Sequence, residues 1–176
     1  IVKHGNPCGV SALKNNLDSY KSALDSDPIS AFGGIVSCNY KITQKLALLL
    51  NEIFLEVVIA NGFDKDALKI LKLKKNLRII DSSKISFDET LKFNSVDNFT
   101  LIQSEDKKNF SKMDFKIVSK RKPNKSQLDN LMFAFNVCRH TKSNAIILAS
   151  NKSTIGIGSG QPSRLDSCEI AINKMN

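Results

Sequence analysis

The sequence lacks tryptophan and has only four cysteines among its 176 residues. The cysteines stand at positions 8, 38, 138 and 168, and no C-x-x-C spacing occurs. Because structural zinc sites usually draw on closely spaced cysteine pairs, we do not expect these cysteines to bind zinc. Isolated free thiols suit a reducing compartment and small packing roles. We therefore predict a cytoplasmic protein.

Long apolar runs are also missing. None is longer than the five residues of 46–50, far fewer than the roughly 20 residues that a membrane-spanning helix needs. The N-terminus shows no signal-peptide pattern. The chain begins with Ile1 instead of Met, and Asn176 falls inside an expected helix. We therefore expect an internal piece of a longer protein, in which a functional site would be only partly present.

Acidic residues are in the minority, with 17 Asp and Glu against 26 Lys and Arg and a net charge of +9. A basic balance is one signature of a module that binds nucleic acid or another polyanion, and we keep this as an alternative function. The lysine clusters at 72–75 and 120–125 have no interleaved aromatic residues for base stacking, so nucleic acid is not the favoured partner. The charge would also suit a small phosphorylated or polyglutamate-bearing ligand.

Helical and strand patterns alternate along the chain, which predicts an α/β fold. Ser11 is the expected N-cap of the first helix. Helices are expected over residues 11–25, 43–53, 65–73, 125–139 and 165–175. Strands are expected near residues 1–3, 34–36, 56–60 and 77–80, with hairpins over 93–103 and 145–158.

Lys3 and His4 form the first candidate catalytic pair. Gly5, Pro7 and Gly9 follow them closely and favour a bent backbone, so that both side chains could face one cavity. In a regular strand they would point to opposite faces. A neighbouring ammonium favours a neutral imidazole that can accept a proton, while the lysine stabilises developing negative charge.

Two glycine-bearing segments are further candidates. Phe32 and Gly33 either stack on and closely approach a flat ligand, or form a tight turn with a core aromatic. The loop at 156–164 resembles the start of a dinucleotide-binding fingerprint, but Ser163 replaces its third glycine. An NAD-binding domain is therefore a weak alternative, and an anion loop with Arg164 at a helix N-terminus is the better interpretation.

Five short motifs occur in order: residues 3–9 (KHGNPCG), 27–34 (DPISAFGG), 54–60 (FLEVVIA), 142–146 (KSNAI) and 156–164 (GIGSGQPSR). Together they resemble the signatures K-H-x-N-P-C-G, D-P-x-S-A-F-G-G, F-x-E-V-I-I-A, K-S-N-A-I and G-I-G-A-G-Q-M-S-R of the AICAR transformylase family. This family is the formyltransferase half of a bifunctional enzyme of purine biosynthesis. Gly5 and Pro162 depart from the commoner Asn and Met of the family at positions without a named role.

The resemblance implies transfer of a formyl group from 10-formyltetrahydrofolate to the 5-amino group of AICAR, giving FAICAR and tetrahydrofolate. His4 would be the general base, and Lys3 would stabilise the transition state. The family's AICAR contacts match Phe32, Gly33, Glu56, Asn144 and Arg164, and a folate contact matches Leu165.

The resemblance also implies a cytidine-deaminase-like α/β layer that is duplicated in the complete domain. Residues 1–115 would form the first subdomain, and residues 116–176 the start of the second. The family is a homodimer with shared active sites and needs no zinc, and a monovalent cation such as potassium near Ser143 is an open question. We expect no formyl transfer from this segment alone, because the family's Arg-Tyr substrate motif, which precedes Lys3, and the second half of the transformylase, with further folate and phosphate contacts, are missing. The cyclohydrolase domain, which closes the ring, is missing as well.

A zinc deaminase is a further alternative, suggested by the implied fold alone. Such enzymes need an H-x-E motif and a C-x-x-C motif to hold the metal and to move the proton. Neither motif occurs in this sequence, so the deaminase alternative is not favoured.

Overall fold

The computed structural model describes residues 1–86, 91–106, 108, 110–111 and 114–175. Its largest sheet has five strands in the order β2-β1-β3-β4-β5, with β1 antiparallel to both neighbours and β3, β4 and β5 parallel. This mixed sheet with intervening helices confirms the predicted α/β class. The strands are β1 (Val2–Lys3), β2 (Asn6–Pro7), β3 (Gly34–Cys38), β4 (Leu55–Ala60) and β5 (Arg78–Asp81).

Four helices accompany this sheet: α1 (Asn16–Asp25), α2 (Pro28–Ala31), α3 (Gln44–Asn51) and α4 (Lys65–Leu71). Thr43 caps α3, because its hydroxyl accepts the N–H of Leu46. Apolar residues of α3, α4 and the central strands form one buried core, in which Leu46, Leu50, Val58 and Leu71 are at most 1% exposed. None of the described helices is long and apolar enough to cross a bilayer.

The prediction that the first helix begins after Ser11 is wrong. The helix begins at Asn16, and Asn15 is the N-cap whose side-chain oxygen accepts the N–H groups of Leu17 and Asp18. Ser11 instead forms an isolated antiparallel bridge with Ser153. A partner 142 residues away in sequence has overridden the local helical pattern, as tertiary contacts often do.

The middle of the chain forms an antiparallel hairpin, as expected, with β6 (Leu91–Val96) and β7 (Phe99–Ser104) in register. Every residue of both strands is exposed. Beyond it, helix α5 (Lys125–Cys138) begins at a capping box, in which Asn124 and Gln127 exchange side-chain and backbone hydrogen bonds.

The last elements are β8 (Ile146–Ser150), β9 (Ser153–Gly158) and α6 (Arg164–Asn173), with β8 and β9 paired antiparallel. Two glycines of β9 allow α6 to approach closely. A Cβ at Gly158 would lie 1.8 Å from the carbonyl oxygen of Ser167, and one at Gly156 would lie 2.1 Å from that of Ala171. Packing against α6 therefore accounts for two of the three glycines in the proposed anion loop.

Several contacts join these last elements to the five-stranded sheet. The hydroxyl of Thr154 lies 2.9 Å from that of Ser26 and donates to the carbonyl of Val10 at 3.2 Å. Lys174, just after α6, forms an ion pair with Asp27. These contacts hold the start of β9 and the end of α6 against the first part of the chain.

Candidate functional site

The short hairpin of β1 and β2 carries the first candidate pair. Lys3 pairs with Asn6, so His4 and Gly5 form a two-residue turn. Both have positive φ, 51° for His4 and 77° for Gly5, as a type I′ turn requires. The bend predicted from the glycine and proline punctuation is therefore present. It places the exposed His4 at the tip of the hairpin.

The Lys3 ammonium is held by two backbone carbonyls. Its Nζ donates to the carbonyl oxygens of Phe32 and Gly33, each at 2.8 Å. Gly33 has φ +66°, and a Cβ there would lie 2.8 Å from Lys3 Nζ. Only glycine combines this backbone conformation with so close an approach. The structure thus joins the first two sequence motifs through the lysine side chain.

Phe32 follows the short helix α2 and is 62% exposed, so the alternative of a core aromatic at this position is wrong. Its ring lies 5.4 Å from that of Phe54, with the two planes tilted by 48°. The N–H of Gly33 donates to the carbonyl of Phe54 at 2.8 Å. An exposed aromatic ring beside a glycine turn offers a flat apolar surface to a ligand.

Glu56 lies near this turn, at the start of β4. The preceding residue, Leu55, pairs with Gly34, the first residue of β3. Leu55 is buried and Glu56 is exposed, as alternation along a strand demands. Its carboxylate is therefore at the same end of β4 as the Phe54 ring.

Asn144 connects two loops. Its side-chain amide donates to the carbonyls of Gln161 at 3.1 Å and Pro162 at 2.8 Å, and its own N–H also reaches Gln161. The carbonyl of Asn144 accepts the hydroxyl of Ser167 on α6. Hydrogen bonds of Asn144 thus connect the fourth motif to the fifth, just before α6.

Arg164 and Leu165 begin α6, and both are exposed, Leu165 by 74%. Ser163 caps the helix by accepting the N–H groups of Leu165 and Asp166. Arg164 therefore extends from a helix N-terminus, where the macrodipole adds to its positive charge. This arrangement suits an anionic group such as a phosphate.

Asn6 joins the hairpin to these loops, and sequence reasoning gave it no role. Its side-chain oxygen accepts the N–H of Lys142 at 3.0 Å, across 136 residues of sequence. The carbonyl of Lys142 in turn accepts the N–H of Gly160 at 2.8 Å. Asn6 had no local signal, because its partner is far away in sequence.

Asp27 caps α2, the helix that leads to the Lys3 cradle, our name for the two carbonyls of Phe32 and Gly33 that bind the Lys3 ammonium. Its carboxylate accepts the N–H of Ser30 at 3.0 Å and also binds Lys174. Burial alone would raise the pKa of Asp27, but the hydrogen bonds from Lys174 and Ser30 outweigh burial and hold the pKa below its usual value. The carboxylate is therefore ionised at neutral pH.

The remaining reactive groups are the potential metal ligands and the cysteine thiols. Among the residues that the structure describes, no three His, Cys, Asp or Glu side chains come together as metal ligands. Burial raises the pKa of the Cys8 and Cys38 thiols, which suits packing residues better than nucleophiles.

Two cavities lie away from the hairpin tip. One of about 90 Å³ is lined by α1 and β3, and one of about 310 Å³ lies between α5 and the turn after β8. Neither is lined by Lys3 or His4. Lys3, Phe32 and Gly33 are in direct contact, and Asn6 connects their hairpin to Lys142, two residues before Asn144.

Comparison with known families gives one match over nearly the whole chain. The family described as the AICARFT/IMPCHase bienzyme matches residues 1–174. The match includes both segments that Asn6 joins and all five motifs.

Individual relatives agree with the family match. The chain is 44% identical over 174 residues to the bifunctional purine biosynthesis protein PurH of Acetivibrio thermocellus, covering 97% of this chain and 34% of that protein. It is 45% identical over 175 residues to PurH of Wigglesworthia glossinidia brevipalpis, covering 99% and 33%. PurH of Aquifex aeolicus is 44% identical over 174 residues, covering 99% and 34%. The chain thus spans about a third of the length of these curated relatives.

Proposed function

The chain belongs to the AICARFT/IMPCHase bienzyme family, and from this premise we propose that it carries the Lys-His centre of an AICAR transformylase within a bifunctional enzyme of purine biosynthesis. The reaction transfers the formyl group of 10-formyltetrahydrofolate to the 5-amino group of AICAR. The amine nitrogen attacks the formyl carbon, and His4 takes a proton from the amine. The bond between the formyl carbon and the folate nitrogen then breaks, and that nitrogen takes up a proton to leave as tetrahydrofolate. The products are FAICAR and tetrahydrofolate.

His4 acts as the general base in this proposal. It stands at the tip of an exposed type I′ turn, where an imidazole nitrogen can reach the amine of a bound substrate. A left-handed φ at a residue other than glycine is uncommon and is often associated with a functional position.

Lys3 stabilises the negative charge that develops on the formyl oxygen. An ammonium has three N–H donors, and the carbonyls of Phe32 and Gly33 occupy two of them. Within the described parts of the chain no other acceptor binds this ammonium, so the third donor can bind the oxyanion, and the two carbonyls fix its direction before the reaction begins. A fixed donor costs little reorganisation in the transition state.

The substrate contacts surround this pair. Phe32 offers a ring face to the flat imidazole of AICAR, Gly33 admits close approach, and Glu56 accepts from an N–H donor. Asn144 contacts AICAR and also orders the loop before α6, whose first residue, Arg164, binds the phosphate. Leu165 contacts the folate.

One observation carries the proposal: side-chain and backbone contacts connect all five motifs. Lys3 joins the first motif to the second, and Gly33 joins the second to the third through Phe54. Asn6 joins the first to the fourth, and Asn144 joins the fourth to the fifth. A binding surface assembled from residues so far apart in sequence is typical of an enzyme site.

The wider organisation also belongs to the proposal. Residues 1–115 form a first cytidine-deaminase-like subdomain and residues 116–176 begin a second, which is supported by their separate sheets. The complete protein is a cytoplasmic homodimer with shared active sites, and its IMP cyclohydrolase activity resides outside this segment. Potassium near Ser143 remains an open prediction.

The full-length protein with His4→Ala tests the general-base role. Loss of a general base typically costs 10²–10⁴-fold in rate, so kcat for formyl transfer should fall by at least about 100-fold while AICAR still binds. His140 lies just after α5 and has no part in the proposed site, so His140→Ala is the matched control and should keep its kcat. A His4→Ala enzyme that stays within about tenfold of wild type would refute the role.

A further inference from the structure

We propose that Asn6 is a positioning residue, which holds the hairpin bearing Lys3 and His4 in register with the loops bearing Asn144 and Arg164. The inference rests on the proposed function. It adds a residue that touches neither substrate in that proposal and that acts through the peptide N–H of Lys142.

The bond lies where the two halves of the site meet. Asn6 directly follows the His4-Gly5 turn, and its oxygen accepts the Lys142 N–H at 3.0 Å. Lys142 is two residues before Asn144, and its carbonyl accepts the N–H of Gly160 in the other loop. One side-chain oxygen thereby fixes the hairpin tip relative to both loops.

Other contacts between the same parts of the chain lie elsewhere. They join Val10, Ser11 and Ser26 to the start of β9, and Asp27 to Lys174 after α6. These contacts remain when the Asn6 bond is removed. We therefore expect the fold to survive its loss, while the distance between His4 and the substrate loops becomes less defined.

Small errors in the placement of reacting groups are expensive in rate, and a misplacement of about 1 Å can cost about 100-fold. The loop residues that hold AICAR keep their own contacts when Asn6 changes. Loss of the bond should therefore lower kcat by about 10–100-fold and leave the Kd for AICAR within about threefold.

The test compares three variants of the full-length protein. Asn6→Leu removes the acceptor at nearly constant size, and Asn6→Asp keeps an acceptor oxygen for the Lys142 N–H. Asn130→Leu is the matched control, because Asn130 accepts the N–H of Lys152 in the same way at 2.8 Å, away from the site. Each variant is assayed for kcat at its own pH plateau, for AICAR binding by calorimetry and for amide exchange around Lys142.

The proposal expects Asn6→Leu to lose about 10–100-fold in kcat with faster exchange at Lys142, and Asn6→Asp to stay within about threefold of wild type. Asn130→Leu should keep its kcat. The proposal is overturned if Asn6→Leu keeps full kcat, if Asn6→Asp is as slow as Asn6→Leu, or if Asn6→Leu fails to fold. A wild-type protein without formyl transfer would instead refute the proposed function, and the exchange data would still show whether Asn6 holds the loop.

Discussion

Gly33 has only a hydrogen atom at the position where the Cβ of any other residue would contact the Lys3 ammonium. Gly33→Ala would place a methyl group 2.8 Å from Nζ at a φ of +66°. A left-handed backbone costs an L-residue about 1–2 kcal/mol, and the methyl group displaces the ammonium from its two carbonyls. We expect a stability loss of this size in urea unfolding, together with a fall of about 10–100-fold in kcat of the full-length enzyme.

Gly62→Ala separates backbone strain from the displacement of Lys3. Gly62 has φ +99°, follows the opposite end of β4, and its Cβ would come no closer than 3.4 Å to Lys41. This variant should lose comparable stability and keep its kcat. Equal losses of kcat in both variants would mean that the Lys3 cradle has no special role.

The roles of some of these residues could be predicted from the sequence, and the roles of others could not. The turn at His4 was predictable, because glycine and proline act on their immediate neighbours. The role of Asn6 was not, since its bond depends on a loop 136 residues away. Gly33 was singled out as a point of ligand approach, but the glycine is also required by a side chain of the same protein.

At the scale of the elements, the carboxylate of Asp27 both caps α2 and forms an ion pair. Asp27 caps the helix through Ser30 and pairs with Lys174, and against the effect of burial these bonds hold its pKa below the ordinary value of an aspartate. A lowered folded-state pKa stabilises the protein above the unfolded-state pKa, and this stabilisation is lost as the pH falls through the folded-state value. Asp27→Asn keeps an acceptor for Ser30 but loses the charge. We expect it to be about 1–3 kcal/mol less stable at pH 7.

The difference between wild type and Asp27→Asn should be constant above about pH 5 and should shrink below about pH 4. Urea unfolding at a series of pH values measures it. Lys174→Met removes the same ion pair but leaves the cap intact, so its pH dependence should be similar. A difference that persists unchanged down to pH 2 would show that the Asp27 charge does not stabilise the fold.

Element types followed from periodicity, whereas the element ends followed in some cases from local caps and in others from tertiary contacts. The helices at 43–53 and 125–139 were expected within a few residues of their observed bounds, because Thr43 and Asn124 are local caps. The helix expected from Ser11 begins at Asn16 instead, since the backbone around Ser11 and Ala12 pairs with that of Lys152 and Ser153. Local patterns cannot encode a competitor that lies 142 residues away.

At the scale of the whole molecule, no named strand of the five-stranded sheet pairs with a strand of the β8–β9 sheet among the described residues, so strand patterns in the sequence could not have shown how these two sheets meet. They are joined by a bridge at Ser11, hydroxyl contacts at Thr154 and the ion pair of Asp27 with Lys174. Each of these groups is polar, and none of them lies in a sequence pattern that indicates its distant partner. Together with the bond between Asn6 and Lys142, these contacts bring the parts of the chain that form the proposed site together.

The β6–β7 hairpin is the least covered part of the described chain. Val96, Phe99 and Leu101 share one face, because Val96 pairs with Phe99 and side chains alternate along a strand. They are 54%, 76% and 62% exposed. Neighbouring exposed apolar groups favour association, so we expect the isolated 176-residue chain to self-associate. Phe99→Ser with Leu101→Ser should reduce this association.

Sedimentation velocity over a range of protein concentrations, at low salt and at 0.5 M salt, measures the effect. Association through the apolar face should persist at high salt. Association in which a polyanion bridges chains of net charge +9 should weaken at high salt, since salt screens charges. Val118→Ser is the control, because Val118 is 87% exposed but lies outside the hairpin. If the control reduces association as much as the double variant, or if salt abolishes it, the hairpin face is not the cause.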